Sequence, residues 1–483
     1  MSKKKKYINE KTLALLQCIA TMVFIFCLVR LNMLPTLYLI PIVVLLLFVL
    51  VGLYQLMHHK KSVKYSRVKR PSKRSVVGKI MSIFLSVILL LASLYIIQGD
   101  GALNKITGSN KQVQTISAIV LKDSKIKNLK DLDDTIIGYN DKTGFDYIQS
   151  TLEELKKDVA FSSEVKYSDF LALSDALYEK EIEVLLINES YRSIIEDSYP
   201  TFSADTKIVY TFEIVEEIDV SVLKKVDVTK DVFSIYVSGI DTYGNVATVS
   251  RSDVNMIVTV NPKTRKILLT SIPRDSYVTL ASFNQKDKLT HSGNYGITET
   301  VGTVSNWLDI DINYYARVNF TSLVDIVDAV GGISVNSEYA FTALGEYHFK
   351  AGANELNGNE ALAFSRERYT IPGGDLARGQ NQMRVIQGII NKMLSPAIIT
   401  NYSSVLNAIS GSFETSMTSK DISSLVKMQL NEMSGWTFET QQITGAGQTG
   451  LPCYSMPGWN QLYVLIPSEE SVRAASQRIE NLN

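Results

Sequence analysis

The sequence predicts an α/β protein built from three N-terminal transmembrane helices, a small α/β accessory domain and a larger mixed-sheet α/β domain with helices packed around it. Three observations carry this expectation. Three long apolar runs crowd the first hundred residues. Beyond them, short β-branched runs alternate with longer stretches of helical period. The helical stretches are separate and widely spaced between the strands, which argues against an all-β fold. We place the boundaries at 1–104, 105–218 and 219–483.

At 483 residues the chain exceeds one ordinary domain. Its 49 basic and 49 acidic residues cancel, but the first hundred residues are basic and apolar while the remainder reads as ordinary soluble protein. The near-neutral balance therefore says nothing about partners. Of the three cysteines, Cys18 and Cys27 fall in an apolar run and only Cys453 lies in the soluble part. No disulfide is available there. The four histidines, His58, His59, His291 and His348, lack zinc-ligand spacing.

The apolar runs cover residues 13–29, 37–53 and 80–97. Each has about the length needed to cross ~30 Å of hydrocarbon as a helix. A cleaved signal would be single and followed by small residues, so the three runs read as a retained anchor. Orientation follows from charge. Lys3–Lys6 and Lys11 precede the first run, and the loop from His58 to Lys79 carries nine Lys or Arg and no acid. The loop between the first two runs holds only Arg30. Basic loops stay inside, so the N-terminus and second loop are expected in the cytoplasm and everything after about residue 98 outside. A nucleic-acid patch is the other reading of that loop. Its position between two membrane spans argues against it.

Residues 105–218 predict a small α/β unit, with strands at 134–139 and 183–188 and a helix over 151–157. The stretch around "GYNDKTGF" resembles half of a solute-binding protein. A plain spacer is the simpler reading, and a partner-binding module the other. From 219 onward, strands are expected at 232–240, 254–260 and 267–272. Helices are expected near 297–308, 321–330, 377–394 and 420–433, with a last one following Pro467.

Candidate chemistry gathers at strand ends. Asn-Pro at Asn261 marks a turn between two strands. An antiparallel pair centred there sets Asp253 opposite Arg274. The connection through Gly244 and Asn245 brings Asp241 back beside Asp253. Two carboxylates and a guanidinium at one sheet end suit a divalent cation and a phosphate. Mg²⁺ takes one or two carboxylates plus phosphate oxygens and water, and the planar guanidinium fork matches phosphate oxygens. A surface ion pair of little energetic weight is the plain alternative.

A second cluster lies in "ALAFSRERYTIPGGDLARGQNQMRVI". Arg366 and Arg368 are two apart, so an extended segment would aim both to one face. Gly373 and Gly374 break the chain, and Asp375 is expected at a helix N-cap. Arg378 and Gln382 then share a helix face, with Arg384 off it. Arginines converging without matching acids repel, and a bound pyrophosphate would relieve that cost. A solvated charged turn is the alternative. Lys288 is either a further phosphate contact or an exposed lysine. Gly331–Gly332 reads as a helix C-cap rather than a phosphate loop.

The stretches "SGID", "RSDVNMIV", "SIPRDSYV", "KLTHS", "LVDIVDAVGGISVN", "ALAFSRERY" and "DLARGQNQ" together resemble the LytR-CpsA-Psr family of cell-envelope proteins. They cover about 240 residues in the family's order, and the three spans with an added domain are most similar to its capsule-locus branch. The resemblance implies a phosphotransferase that moves a glycopolymer, here a capsular polysaccharide, from a polyprenyl pyrophosphate to peptidoglycan through a phosphodiester. It implies Mg²⁺ on Asp241 and Asp253 and pyrophosphate contacts from Arg274. Arg366, Arg368, Arg378 and Gln382 are implied around the head group, and Lys288 beside them. It also implies membrane lipid and capsule-assembly membrane proteins as partners. Asn381 and Ala377 stand where the family often has Arg and Gly. Apolar helix faces around 301–308 and 385–394 could line a lipid tunnel, or belong to the core. Asp253 and Asp275 are among the candidates for a general base. The same residues also serve a pyrophosphatase, and the basic loop keeps a non-enzymatic lipid-binding regulator open.

Overall fold

The structure is a computed structural model and describes residues 9–58, 60–61, 70–240, 245–395, 397–456 and 461–482. It divides into two compact units. The first holds residues 1–105 with 394–410 and 418–435, and the second holds 106–393, 411–417 and 436–483.

In the first unit the three apolar runs form helices Glu10–Leu31, Thr36–His58 and Lys73–Ile106, each long and apolar enough to cross a membrane. Most of their large apolar side chains are exposed, as lipid-facing surface requires. Polar pins fix their register. Ser82 Oγ donates to Gln17 Oε1 at 2.6 Å, and Ser75 Oγ donates to the Met57 carbonyl at 2.6 Å. Arg30 pairs with Asp100 at 3.2 Å and His58 with Glu10 at 3.8 Å. These pairs set the second helix antiparallel to the first and the third parallel to it. The third helix runs 34 residues without a break, about 51 Å at 1.5 Å per residue. It therefore continues past residue 98. Helices Ala397–Ile409 and Ser419–Glu432 complete this unit, with Ser419 Oγ donating to Asn104 Oδ1.

The second unit contains two main sheets. Residues 111–217 build a five-stranded sheet in the spatial order Ser163–Tyr167, Ile136–Asn140, Val184–Asn188, Lys111–Leu121, Thr206–Glu217. Helix Phe145–Leu155 covers one face, and helices Phe170–Tyr178 and Arg192–Ser198 the other. The helix expected at 151–157 starts six residues earlier, because Thr143–Gly144 closes the preceding loop.

The six-stranded sheet uses β1 (Phe233–Ile240), β2 (Ser252–Asn261), β3 (Lys266–Ile272), β4 (Tyr314–Val318), β5 (Phe413–Thr415) and β6 (Thr437–Gln442), in the order β5-β4-β1-β2-β3-β6. It is mixed, since β4 is parallel to β1 and β6 to β3 while β2 is antiparallel to both of its neighbours. Fully buried Tyr236, Ile257, Leu268 and Tyr315 project to one face, where helices Ile297–Leu308 and Glu469–Glu480 cover them. Val301, Val304 and Leu308, considered above as tunnel lining, belong to this core. Val385 and Ile389 are buried as well.

Helix α1 (Gly358–Arg366) packs on helix Phe320–Ala329 and on α2 (Gly374–Met393), and α2 lies beside β3 and β6. Gly379 permits the approach: a Cβ there would fall 2.5 Å from Gln442 Nε2 and 2.7 Å from Ser271 Oγ. Gly331 and Gly332 have φ of +79° and +83° after helix Phe320–Ala329, the C-cap read from the sequence. Pro467 ends a strand, and the last helix follows it as expected. Ser468 is the N-cap, and the last helix begins at Glu469.

Candidate active site

The β2–β3 hairpin has the expected register. Asn255 pairs with Ile272, which sets Asp253 opposite Arg274 just beyond the ladder. Asn261 Oδ1 accepts from the Lys263 and Thr264 amides and closes the turn. Arg274 Nη1 donates to Asp253 Oδ1 at 2.8 Å, and Thr290 Oγ1 donates to the same oxygen at 3.3 Å. Asp241, expected beside them, lies with residues 242–244 outside the described residues.

Asp253 is buried, which by itself pushes its carboxyl up. The guanidinium groups of Arg251, Arg274 and Arg378 overcome this and hold it below the usual carboxylate range. Arg274 is likewise disfavoured by burial, and the Asp253, Asp275 and Asp375 carboxylates more than reverse that. Asp253 Oδ2 and Arg274 Nε are buried without a hydrogen bond, although Arg251 Nε lies 3.3 Å from the former. Buried polar atoms left in this way call for a ligand or ion.

Of the remaining expected residues, Lys288, Arg368 and Arg378 are tied to this pair. Lys288 is 9 % exposed and pairs with Asp275 Oδ1 at 3.0 Å, so it is an inward lysine rather than a solvated one. Arg378 pairs with Asp375 at 2.7 Å. Burial pushes the Arg378 guanidinium down, and repulsion from Arg274 and Arg368 adds to this against the pull of Asp375 and Asp253. The arginines do converge. Contrary to the expectation of an acid-free cluster, Asp253, Asp275 and Asp375 accompany them.

The second cluster needs two further corrections. Arg366 and Arg368 do not share an extended segment: Arg366 closes α1, and Arg368 follows the Glu367 C-cap. Arg366 is exposed, with its guanidinium 4.1 Å from the Phe320 ring centroid. Arg368 stacks 4.7 Å over Tyr369. Asp375 is the second residue of α2 rather than its N-cap. Its charge still suits the positive end of the helix. Gln382 Nε2 reaches the Ser365 carbonyl at 3.5 Å. Arg384 is not a solvated bystander, since it donates to Asn381 Oδ1 and Glu338 Oε2. Asn381 is buried there, in a space that a larger arginine would not share.

Three features escaped the sequence reading. Arg251 bridges Asp253 and Asp197, the latter at 3.8 Å on helix Arg192–Ser198. Its position two residues before Asp253 was the available signal. The segment carrying it is clamped by Val113, which donates to the Ala247 carbonyl and accepts from the Val249 amide, both at 2.9 Å. His291, Asp287 and Ser455 form a buried knot. His291 Nδ1 is 2.7 Å from Asp287 Oδ1 and 2.8 Å from Ser455 Oγ. Both neighbours meet the same ring nitrogen, which is a brace and not a nucleophilic relay.

The third is Glu367, whose Oε1 accepts from the amides of Arg368, Tyr369 and Thr370. Burial pushes its carboxyl up, and the three amides outweigh burial and hold it below the ordinary range. A depressed folded-state value stabilises above the unfolded value and is lost as pH falls through the folded one. Glu367→Gln is expected to weaken pyrophosphate binding about tenfold by releasing the Arg368 loop. The thermal midpoint should fall less in strong acid than at neutral pH. Isothermal calorimetry and melts at both pH values check this.

Could the residues present hold Mg²⁺? Asp253 offers one hard, buried oxygen with no hydrogen bond. Among the described residues no three His, Cys, Asp or Glu converge as a full ligand set. One carboxylate oxygen beside several arginines fits an ion that keeps waters and would take its other oxygens from a bound phosphate.

Residues 197–477 match the model of the LytR_cpsA_psr family. The chain belongs to this family. It is 38% identical over 222 residues to a polyisoprenyl-teichoic acid–peptidoglycan teichoic acid transferase TagU of Enterococcus faecalis, spanning 45% of this chain and 72% of that one. The Bacillus subtilis TagU is 41% identical over 190 residues, 39% of this chain and 61% of the relative. The crystal structure of B. subtilis TagU aligns with a TM-score of 0.42 and 32% identity, covering 52% of this chain and 96% of that one. The family match begins at Asp197 and contains every site residue described above.

Proposed function

We propose that this LytR-CpsA-Psr protein transfers a polyprenyl-pyrophosphate-linked glycopolymer to a hydroxyl of peptidoglycan. The observation that carries it is the part-buried Asp253–Arg274 pair, with Arg378, Arg368 and Lys288 around it and buried polar atoms of the pair left without a hydrogen bond. That arrangement suits an anion with several charges in a small volume. The printed names of its relatives, which act between polyisoprenyl-linked teichoic acid and peptidoglycan, support the same reaction class.

In the proposed step the acceptor hydroxyl oxygen attacks the sugar-bearing phosphorus. The bond from that phosphorus to the bridging oxygen breaks, so the products are a phosphodiester on peptidoglycan and a polyprenyl monophosphate. The hydroxyl proton passes to a carboxylate of the site, Asp253 and Asp275 being the candidates. Arg274, Arg368 and Arg378 bind the equatorial and leaving oxygens and stabilise charge as it moves to the leaving phosphate. Arg366 and Gln382 border the head group, and Lys288 with Asp275 fixes the Arg274 turn. Mg²⁺ held by Asp253, with Asp241 as the second carboxylate, would neutralise pyrophosphate charge when bound.

Apolar helices and charge asymmetry support a multi-pass membrane protein whose N-terminus and 58–79 loop face the cytoplasm and whose residues after about 98 lie outside. The polymer we assign is a capsular polysaccharide, on the resemblance of the three-span anchor and added domain to the capsule-locus branch. The relatives' names make teichoic acid the competing polymer. Purified full-length protein given radiolabelled lipid-pyrophosphate glycan and peptidoglycan fragments is expected to place label on peptidoglycan and release polyprenyl monophosphate. Label appearing only as free phosphorylated glycan would establish hydrolysis and end the transfer reading. Parallel reactions with lipid-linked capsule repeats and teichoic acid decide the polymer.

A further inference from the structure

The segment that brings Arg251 to Asp253 is not held by the sheet it leads into. Strand β2 begins at Ser252, which pairs with Ile240 of β1, and residues 247–251 before it have no partner strand in the six-stranded sheet. Their backbone groups must bond elsewhere. Among the described residues, the backbone of 247–249 bonds beyond its own turn only at Val113 and Arg317. Val113 lies on strand Lys111–Leu121 of the five-stranded sheet and bridges Thr248 in parallel. Arg317 of β4 is 4% exposed and joins the two backbones. Its Nη2 donates to the Lys111 carbonyl at 2.7 Å and its Nη1 to the Ala247 carbonyl at 3.3 Å.

The loop from Gly293 to Gly296 makes a second tie between the same two parts. A Cβ on Gly293 would fall 2.6 Å from both the Ser250 carbonyl oxygen and the Ser252 amide nitrogen, and one on Gly296 would fall 2.6 Å from Gln112 Oε1. The loop therefore touches the backbone beside Arg251 at one end and the neighbour of Val113 at the other. Asp197 adds a third tie through the Arg251 side chain. Gln112 and Val113 precede the stretch that matches the family model. The five-stranded sheet thus reaches the arginine site from outside the family's own residues.

We propose that Val113 is a positioning residue for the pyrophosphate site, through which the five-stranded sheet holds Arg251 and Asp253 in register. The proposal rests on the phosphotransferase reading above and gives residues 105–218 a part in the reaction that a spacer would not have. Side chains that meet a reacting phosphate must be held to within about half an ångström. A segment with few backbone bonds opens easily on that scale. Strand Lys111–Leu121 supplies the missing stiffness, since it is paired along its length with Thr206–Glu217. Both backbone groups of Val113 turn toward 247–249, so its pair with Val215 is one without hydrogen bonds. Proline at 113 therefore removes the donor to Ala247 and spares the ladder to Thr206–Glu217. Coupling runs both ways: if the clamp orders the anion site, a bound anion tightens the clamp.

The test uses the full-length protein in detergent micelles, with inorganic pyrophosphate and Mg²⁺ as the probe. In wild type, saturating pyrophosphate is expected to slow hydrogen exchange at the Val113 and Val249 amides several-fold. Exchange at Ile137, fully buried two strands away in the same sheet, should not respond. Val113→Pro should weaken pyrophosphate binding about tenfold and lower transfer turnover roughly a hundredfold, the scale set by a misplacement of about 1 Å. Val113→Ile keeps both backbone groups and should restore the two values. Ile137→Ala should lower the melting temperature yet leave the pyrophosphate affinity of the folded protein unchanged, which separates positioning from loss of stability. Exchange at Val113 and Val249 that ignores pyrophosphate overturns the proposal, and so does wild-type affinity in folded Val113→Pro. If the proline variant does not fold, the exchange response of wild type decides alone. If both amides respond and the proline variant binds pyrophosphate weakly, yet wild type transfers nothing, the positioning role stands and the phosphotransferase reading falls.

Discussion

Arg274→Ala is expected to lower transfer turnover by roughly 10²–10³-fold, the scale on which single charge-stabilising donors act in a water-poor site. The side chain is one-fifth exposed and meets Asp253 at 2.8 Å and Asp275 at 3.8 Å. Removing it takes away a phosphate donor. It also leaves Asp253 with Arg251 and Arg378 only, so the one guanidinium that hydrogen-bonds it against its burial is lost. Arg274→Lys should recover little. An ammonium is a point charge and cannot hold a carboxylate and a phosphate oxygen in one plane as the fork does. The fall should appear mainly in turnover, because Arg368, Arg378 and Lys288 still bind the ground-state pyrophosphate. Single-turnover assays with labelled donor check this, with circular dichroism melts confirming that both variants fold. Full activity in folded Arg274→Ala would falsify the site.

Asp253→Asn is expected to act in the opposite electrostatic sense. The amide cannot balance Arg251 and Arg274, so the site becomes more positive. Inorganic pyrophosphate should then bind more tightly without divalent cation, by several-fold. Transfer should fall at least a hundredfold, and addition of Mg²⁺ should no longer stimulate it. The variant should also melt earlier, since two partly buried guanidinium groups lose their shared partner. Calorimetric titration with pyrophosphate, with and without Mg²⁺, reads the first effect directly. Weaker metal-free binding in the asparagine variant would show that Asp253 does not stand against the anion. In wild type, the contribution of Asp253 to stability is complete above the ordinary carboxylate range. It is lost as pH falls through the depressed folded-state value.

The two halves of the site differ in how far they could be read from sequence. Asp253 and Arg274 were placed together because a tight Asn-Pro turn fixes antiparallel register, and register fixes which residues face each other. The second cluster had no such ruler. Arg366 and Arg368 look like alternating strand residues, but the first ends a helix whose capping box starts at Asn357. The acid Asp275 could not be matched to Lys288 before the loops were folded. Arg251 was visible two residues from Asp253, yet its second partner, Asp197, is 54 residues earlier and comes close only through packing.

By itself the sequence determined the three apolar helices, the alternation that makes an α/β protein, and the β2–β3 hairpin with its Asp253–Arg274 pair. Each follows from short-range rules: hydrophobic period, span length and turn chemistry act over a few residues and leave a local trace. Only the tertiary structure decided that Lys288 points inward to Asp275 and that Val113 clamps the segment bearing Arg251. Those outcomes depend on pairs far apart in the chain, and which distant groups meet is set by core packing and strand order.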